Sequence, residues 1–204
     1  MSEIEVMVDD EGSALFAFHD LDYIPFGFSS TTAPYIETPI ATMRAAATLM
    51  RLDLGPDTSL SKSQETAQTV VCDLGCGDGE LRSITCPAAT GVGIDYDAEL
   101  IKTAGIESKK QAVNAQWLIY DFNADLEDIV NQLLTIYKVT HVFVGLVPKQ
   151  LALQTVRSIL TRLCAGGVTV CCYKYHPLYL RPARSDVLMN LVVYDHTSGR
   201  EDGT

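Results

Sequence analysis

The sequence predicts an α/β domain: a mostly parallel central sheet with helices on both faces and an antiparallel strand near its C-terminal end. Three observations predict it. From Thr69 onward, short apolar runs alternate with segments of helical periodicity. The first run, residues 70–72, passes directly into three alternate glycines, Gly75, Gly77 and Gly79. The last run, residues 187–194, reads as an antiparallel strand at or near the sheet edge.

Taken in order, residues 1–33 form an N-terminal extension that mixes acidic residues with Phe16, Phe18, Tyr23, Phe26 and Phe28. Two readings stay open for it: a lid, or an extended segment packed on the surface. The domain proper spans residues 34–194, and residues 195–204 form a flexible polar tail. A helix is expected over residues 39–52, with Thr38 as N-cap and Pro39 in the first helical position. Ile40, Met43, Ala47 and Met50 trace its apolar face. The helix expected after Gly79 is short, because Pro87 interrupts it.

Residues 92–94 are the second strand, and Asp97 is placed to cap a helix through Leu100 and Ile101. Residues 117–120 are the third strand. Leu126, Ile129, Val130, Leu133 and Leu134 then recur at helical spacing. Residues 141–144 are the fourth strand. One helix carries Leu151, Val156, Ile159, Leu160 and Leu163 and stops at Gly166 and Gly167. Residues 168–173 are the fifth strand.

The glycine stretch specifies a backbone geometry. A strand that ends in alternate glycines turns tightly enough to exclude side chains, and a ligand can lie against the main chain. Asp73 stands just before the glycines and would repel a phosphate; a cationic or amino-acid-bearing ligand suits it better. Ligands in such sheets bind beyond the carboxyl ends of the strands, near the topological switch point. Asp95 ends the second strand, where an acid can accept hydrogen bonds from both hydroxyls of a ribose.

The pattern D-x-G-x-G-x-G, Asp73 to Gly79, resembles the first motif of the class I S-adenosylmethionine-dependent methyltransferases. A dinucleotide fingerprint spaces its glycines differently. The resemblance implies a Rossmann-like fold and S-adenosyl-L-methionine as cofactor. It implies that Asp73, Gly75, Cys76, Gly77, Asp78 and Gly79 hold the methionine end. Asp95 and Tyr96 then serve the ribose side, Asp121 the adenine amino group, and Phe122 the adenine ring. Gly145 opens the loop that reaches the transferred methyl. That loop lacks the N-P-P-Y or D-P-P-Y sequence of the nucleic-acid base methyltransferases, which counts against adenine or cytosine methylation.

A closer resemblance runs through P-Y-x-x-T-P at residues 34–39, L-V-P-K-Q-L at 146–151, and G-V-T-V at 167–170 ahead of Tyr173, Lys174 and Tyr175. This order is similar to the small archaeal-type protein-lysine methyltransferases and their eukaryotic relatives, which include the enzyme acting on the ATP synthase c-subunit. It implies methyl transfer to an amine, a lysine of a protein substrate. Tyr35 is the first candidate to line the acceptor cleft. Tyr173 and Tyr175 follow, since strand alternation puts both on one face. No general base is assigned. Two alternatives stay open: a small-molecule methyltransferase, and a catalytically weak, cofactor-binding partner subunit.

The bulk properties narrow the partners. A formal net charge of −11 over 204 residues opposes non-specific nucleic-acid binding and favours basic protein segments. Six cysteines without a C-x-x-C pair, and four scattered histidines, give no metal-like spacing. Reduced, structural cysteines are expected. No apolar run approaches the roughly 18 residues of a membrane span, and the acidic start is unlike a signal peptide. The expectation is a cytoplasmic protein with neither a nucleic-acid nor a membrane partner.

Overall fold

The computed structural model describes residues 6–8, 14–16, 38–52, 69–79, 90–123 and 128–199. Strands β1 (Val6–Val8) and β2 (Ala14–Phe16) pair antiparallel in a small sheet of their own. Helix α1 (Ile40–Leu49) precedes β3 (Val70–Leu74) and β4 (Thr90–Asp95), which are followed by α2 (Ala98–Lys110) and β5 (Ala115–Ile119). Next come α3 (Ile129–Asn131), running into a π-helical turn at Gln132–Ile136, and β6 (His141–Val144). Helices α4 (Pro148–Leu151) and α5 (Gln154–Ala165) lead to β7 (Thr169–Tyr173), β8 (Arg184–Asp186) and β9 (Leu191–Tyr194).

Among the described residues, seven strands form one sheet in the order β5-β4-β3-β6-β7-β9-β8. The first five in that order pair in parallel, and β9 runs antiparallel to both β7 and β8. The expected mostly parallel sheet with an antiparallel C-terminal strand is thus present. The chain leaves β3 on one side toward β4 and later returns to its other side as β6, so the switch point lies at the C-terminal end of β3.

The strand period of two sorts the side chains between two cores. Val70, Cys72, Leu74, Val142, Val144, Val170, Cys172 and Tyr194 face a cluster completed by Leu133, Leu160 and Leu163. Val71, Phe143, Cys171, Leu191 and Val193 face the other side, where α1 presents Met43, Ala46, Ala47 and Met50. Both faces are therefore dry, which is why these strands read as unbroken apolar runs. Cys72, Cys76, Cys164, Cys171 and Cys172 are free, buried thiols. Among the described residues no helix is long and apolar enough to cross a membrane.

Several local expectations need correction. The α1 cap position falls on Pro39, with extended backbone and no side-chain cap, rather than on Thr38. The Pro39 carbonyl accepts from Met43 N at 3.1 Å and starts the ladder. Helix α2 begins as expected, with Asp97 Oδ1 accepting from Glu99 N and Leu100 N. The segment after β5 is a brief α-turn capped by Asp128 and then a π-turn, closed by Tyr137 N donating to Gln132 O at 3.0 Å. The helix of residues 151–163 is really two, broken at Ala152 and Leu153.

The single strand expected over residues 187–194 is instead the end of a hairpin. Asp186 Oδ1 accepts from Met189 N at 3.1 Å, and Asn190 closes the turn in the left-handed region with φ 52°. Asparagine tolerates that conformation at low cost. Residues 195–198 form a hydrogen-bonded turn in which Ser198 is buried. Residues 1–5, 9–13, 17–37 and 200–204 lie outside the described set, with most of the N-terminal extension and Tyr35 among them. The short helix expected before Pro87 lies outside it as well.

Candidate functional site

Strand β3 delivers the chain into the glycine turn at the switch point. Gly75, Gly77 and Gly79 have φ of 83°, 54° and 88°, all in the left-handed region where a Cβ is strained. At Gly79 space also forbids a side chain: an added Cβ would meet Trp117 at 2.5 Å and the Ala104 methyl at 2.7 Å. Trp117, on β5, lies across this side of the turn and donates its indole N–H to Ser108 Oγ at 3.0 Å. Gly93, on β4, leaves room for the same indole, since a Cβ there would meet it at 2.1 Å.

Four of the turn's N–H groups, those of Gly75, Cys76, Gly77 and Gly79, are committed within the protein. Gly75 N and Cys76 N donate to Ile94 O at 2.9 and 3.1 Å, and Gly79 N donates to Cys76 O at 3.0 Å. Gly77 N donates to Asp95 Oδ2 at 2.9 Å, and Asp97 N to Asp95 Oδ1 at 3.0 Å. An anion cradle needs such donors free, so this turn is not built for phosphate. Asp95 ties the end of β4 to the turn, and each of its oxygens keeps accepting capacity.

The local charge is negative. Asp73 and Asp95 are both buried, and among the described residues no cationic side chain pairs with either. Burial, and secondarily the neighbouring Asp95 carboxylate, push the Asp73 carboxyl up to about 7. Burial drives the Cys76 thiol far up as well, helped by Asp73 and Asp95, so it is a neutral wall and no nucleophile. A cation brought to this pair of buried acidic side chains would favour the ionised form of Asp73, so the pair suits a cationic group.

A cavity of about 280 Å³ opens past the carboxyl ends of β4, β5 and β6; neither Asp95 nor any residue of the turn is among its lining residues. Tyr96, Asp121 and Phe122 line it, as do Lys149, Gln150 and Leu153 from the α4 region. Phe122 is buried and meets Tyr120 edge-on with ring centroids 5.5 Å apart. Asp121 Oδ1 accepts from Asn123 N and Nδ2, both at 2.8 Å. Opposite, Gln150 Oε1 accepts from Val147 N at 3.1 Å.

The structure brings together most of the residues singled out in the sequence. Asp73, Gly75, Cys76, Gly77, Asp78 and Gly79 form the turn, with Asp95 bonded to it. Tyr96, Asp121 and Phe122 line the cavity, which joins the turn only through Tyr96, the residue after Asp95. Gly145 is exposed, donates to Leu74 O at 3.3 Å, and is not among the cavity's lining residues. Tyr173 and Tyr175 do not share a face. Tyr173 packs with Phe143 on the α1 side, and Tyr175 packs on the opposite core, because Lys174 at φ 62° breaks the alternation. Asn123, Lys149, Gln150 and Leu153 also line the cavity, and no sequence motif marks them as lining residues. L-V-P-K-Q-L was visible, but nothing in it says that the α4 turn folds back toward the end of β5.

No protein-family model matches the sequence, and no curated protein matches it. Solved structures do. The RNA methyltransferase from Salinibacter ruber, in complex with S-adenosyl-L-homocysteine, is 26% identical with a TM-score of 0.57, over 78% of this chain and 91% of that one. An S-adenosylmethionine-dependent methyltransferase from Thiobacillus denitrificans, also in complex with S-adenosyl-L-homocysteine, is 16% identical with a TM-score of 0.47, over 73% of this chain and 52% of that one. The sheet described above, mostly parallel with an antiparallel C-terminal strand, is the Rossmann-like methyltransferase fold of the Salinibacter protein.

Proposed function

We propose that this chain is an S-adenosyl-L-methionine-dependent methyltransferase whose acceptor is an amine, a lysine side chain of a protein. One observation carries the cofactor reading: a glycine turn at the switch point whose glycine N–H groups are internally bonded and whose two buried acidic side chains, Asp73 and Asp95, have no cationic partner among the described residues. That donor set fits a ligand bearing an ammonium and a sulfonium. When bound, the cofactor supplies a methyl group activated by the sulfonium charge.

The chain's residues would divide the work as follows. Asp73 and the carbonyls of the turn would face the positive amino-acid end. Asp95, already fixed by Gly77 N and Asp97 N, would accept from the ribose hydroxyls. Tyr96, Asp121 and Phe122 would enclose the base. The contribution to rate is alignment of donor and acceptor. A lysine acceptor must also lose its proton, which costs roughly 4.6 kcal/mol at pH 7 for a free pKa of about 10.4. Desolvation in the cleft lowers that cost, so no strong base is required.

The protein-lysine reading is supported by the segments at 34–39 and 146–151, by the absent base-gripping sequence after β6, and by the charge of −11, which draws basic segments and repels phosphates. A cytoplasmic location goes with it. One observation favours a second reading: the Salinibacter protein is an RNA methyltransferase. Transfer of tritiated methyl from the cofactor into a cell lysate, followed by protease or ribonuclease, separates the two. Protease-released label in methyl-lysine is the expected result, and ribonuclease-released label rejects the lysine acceptor. Calorimetry with S-adenosyl-L-homocysteine tests the cofactor: micromolar binding is expected, at least tenfold weaker in Asp95→Ala, and no heat with the wild-type protein removes the whole proposal.

A further inference from the structure

We propose that Gln150 reads the adenine base together with Asp121, as a specificity-determining pair that tells a 6-amino purine from a 6-oxo purine. This rests on the cofactor reading above and adds a residue and a selectivity to it.

The argument starts from which ends of the two side chains are already engaged. Gln150 Oε1 accepts from Val147 N at 3.1 Å. A backbone N–H can only donate, so the end of the carboxamide facing it must be the oxygen. The other end of Gln150 is therefore the NH₂ group, a donor, and it makes no further hydrogen bond among the described residues. Asp121 shows the same division. Its Oδ1 accepts both hydrogen bonds from Asn123, and Oδ2 has no partner among the described residues.

Both residues line one cavity of about 280 Å³. The two lining side chains thus keep one uncommitted acceptor, Asp121 Oδ2, and one uncommitted donor, Gln150 Nε2, for a ligand in it. Each is held by its own loop: Asp121 by the turn after β5, Gln150 by the first turn of α4. Phe122, Leu153 and Tyr96 give the cavity apolar and aromatic walls suited to a planar ring. Adenine presents the complementary edge, since its exocyclic amine donates and the ring nitrogen beside it accepts. A 6-oxo purine reverses the amine position to an acceptor and would face the Asp121 carboxylate with an oxygen. Each polar group left unmatched in such a site weakens binding substantially.

The test compares S-adenosyl-L-homocysteine with its inosyl counterpart and with 1-deaza- and 7-deaza-adenosyl analogues, by calorimetry on the full chain. The wild-type protein is expected to prefer the adenosyl over the inosyl ligand by about 10- to 100-fold. It is expected to lose about tenfold in affinity for one of the two deaza analogues. Gln150→Glu keeps an oxygen for Val147 N and replaces the donor with a second oxygen. It is expected to bind the adenosyl ligand about tenfold more weakly and to narrow the adenosyl-to-inosyl preference. An unchanged preference in Gln150→Glu, or full affinity for both deaza analogues in the wild type, overturns the role of Gln150 while the cofactor reading stands. The deaza comparison needs no variant, so a folding defect in Gln150→Glu cannot obscure the outcome. Failure of the wild-type protein to bind any of the four ligands overturns both.

Discussion

Asp73 is where folding and ligand binding make opposite demands on one carboxyl group. In the protein alone, burial and the Asp95 carboxylate hold its proton until about pH 7, against an ordinary value of 3.8. The unfolded chain ionises near the ordinary value while the folded chain does not. The contribution of this group to stability is therefore whole below about pH 4 and is lost as pH rises to about 7. A cationic ligand reverses the preference, since it favours the carboxylate. Unfolding midpoints measured from pH 4 to pH 8 should fall more steeply in the wild type than in Asp73→Asn. Affinity for S-adenosyl-L-homocysteine should rise with pH and level off above about 7, and Asp73→Asn should flatten that rise. Asp73 stood out in the sequence because it precedes three alternate glycines. Its protonation did not, because that depends on Asp95, which β4 brings alongside only in the folded sheet.

At the scale of elements, a single indole sets how closely β4, β5 and the glycine turn approach. Trp117 occupies the space that a side chain at Gly93 or Gly79 would need. Gly93→Ala should therefore destabilise the protein by about 1–3 kcal/mol through overpacking. Trp117→Ala is destabilising alone, but in its presence the cost of Gly93→Ala should fall to below about 1 kcal/mol. Denaturant titrations of the four proteins check this, and additive effects would contradict it. The central parallel strands β3, β6 and β7 were legible because both their faces are buried, so each reads as an apolar run. The hairpin at 184–194 was less so: its turn residues Val187, Leu188 and Met189 are apolar, and Leu188 is 93% exposed. Apolar residues at an exposed tip imitate a strand in sequence. The break at Ala152 and Leu153 carries no glycine or proline at its own positions, and helical spacing alone runs across it.

Across the whole molecule, the turn and the cavity share the carboxyl edge of the sheet, and the net charge is −11. Encounter with a basic protein substrate should then be screened by salt, whereas binding inside the cavity should respond far less. Raising salt from about 0.05 to about 0.3 M should lower kcat/KM for a lysine-rich substrate several-fold. The dissociation constant for S-adenosyl-L-homocysteine should change by less than about twofold, since buried interactions are little screened. Insensitivity of kcat/KM to salt would argue against steering by charge. The fold was readable in the sequence, and so was the glycine turn at the end of β3, because both depend on local geometry. The acceptor end stayed unread: Tyr173 and Tyr175 are parted by one left-handed residue, Lys174, whose φ no side-chain pattern announces.

Trp117 has one more consequence. It is the only tryptophan in the chain, and it is clamped between Gly79, Gly93 and Ser108. Its emission therefore reports the β3–β4–β5 half of the sheet and is blind to the β7–β9 half. Far-ultraviolet dichroism sees both halves. If the domain melts as one unit, the two signals must trace the same transition. If the half that carries the turn opens first, the fluorescence will move before the dichroism does.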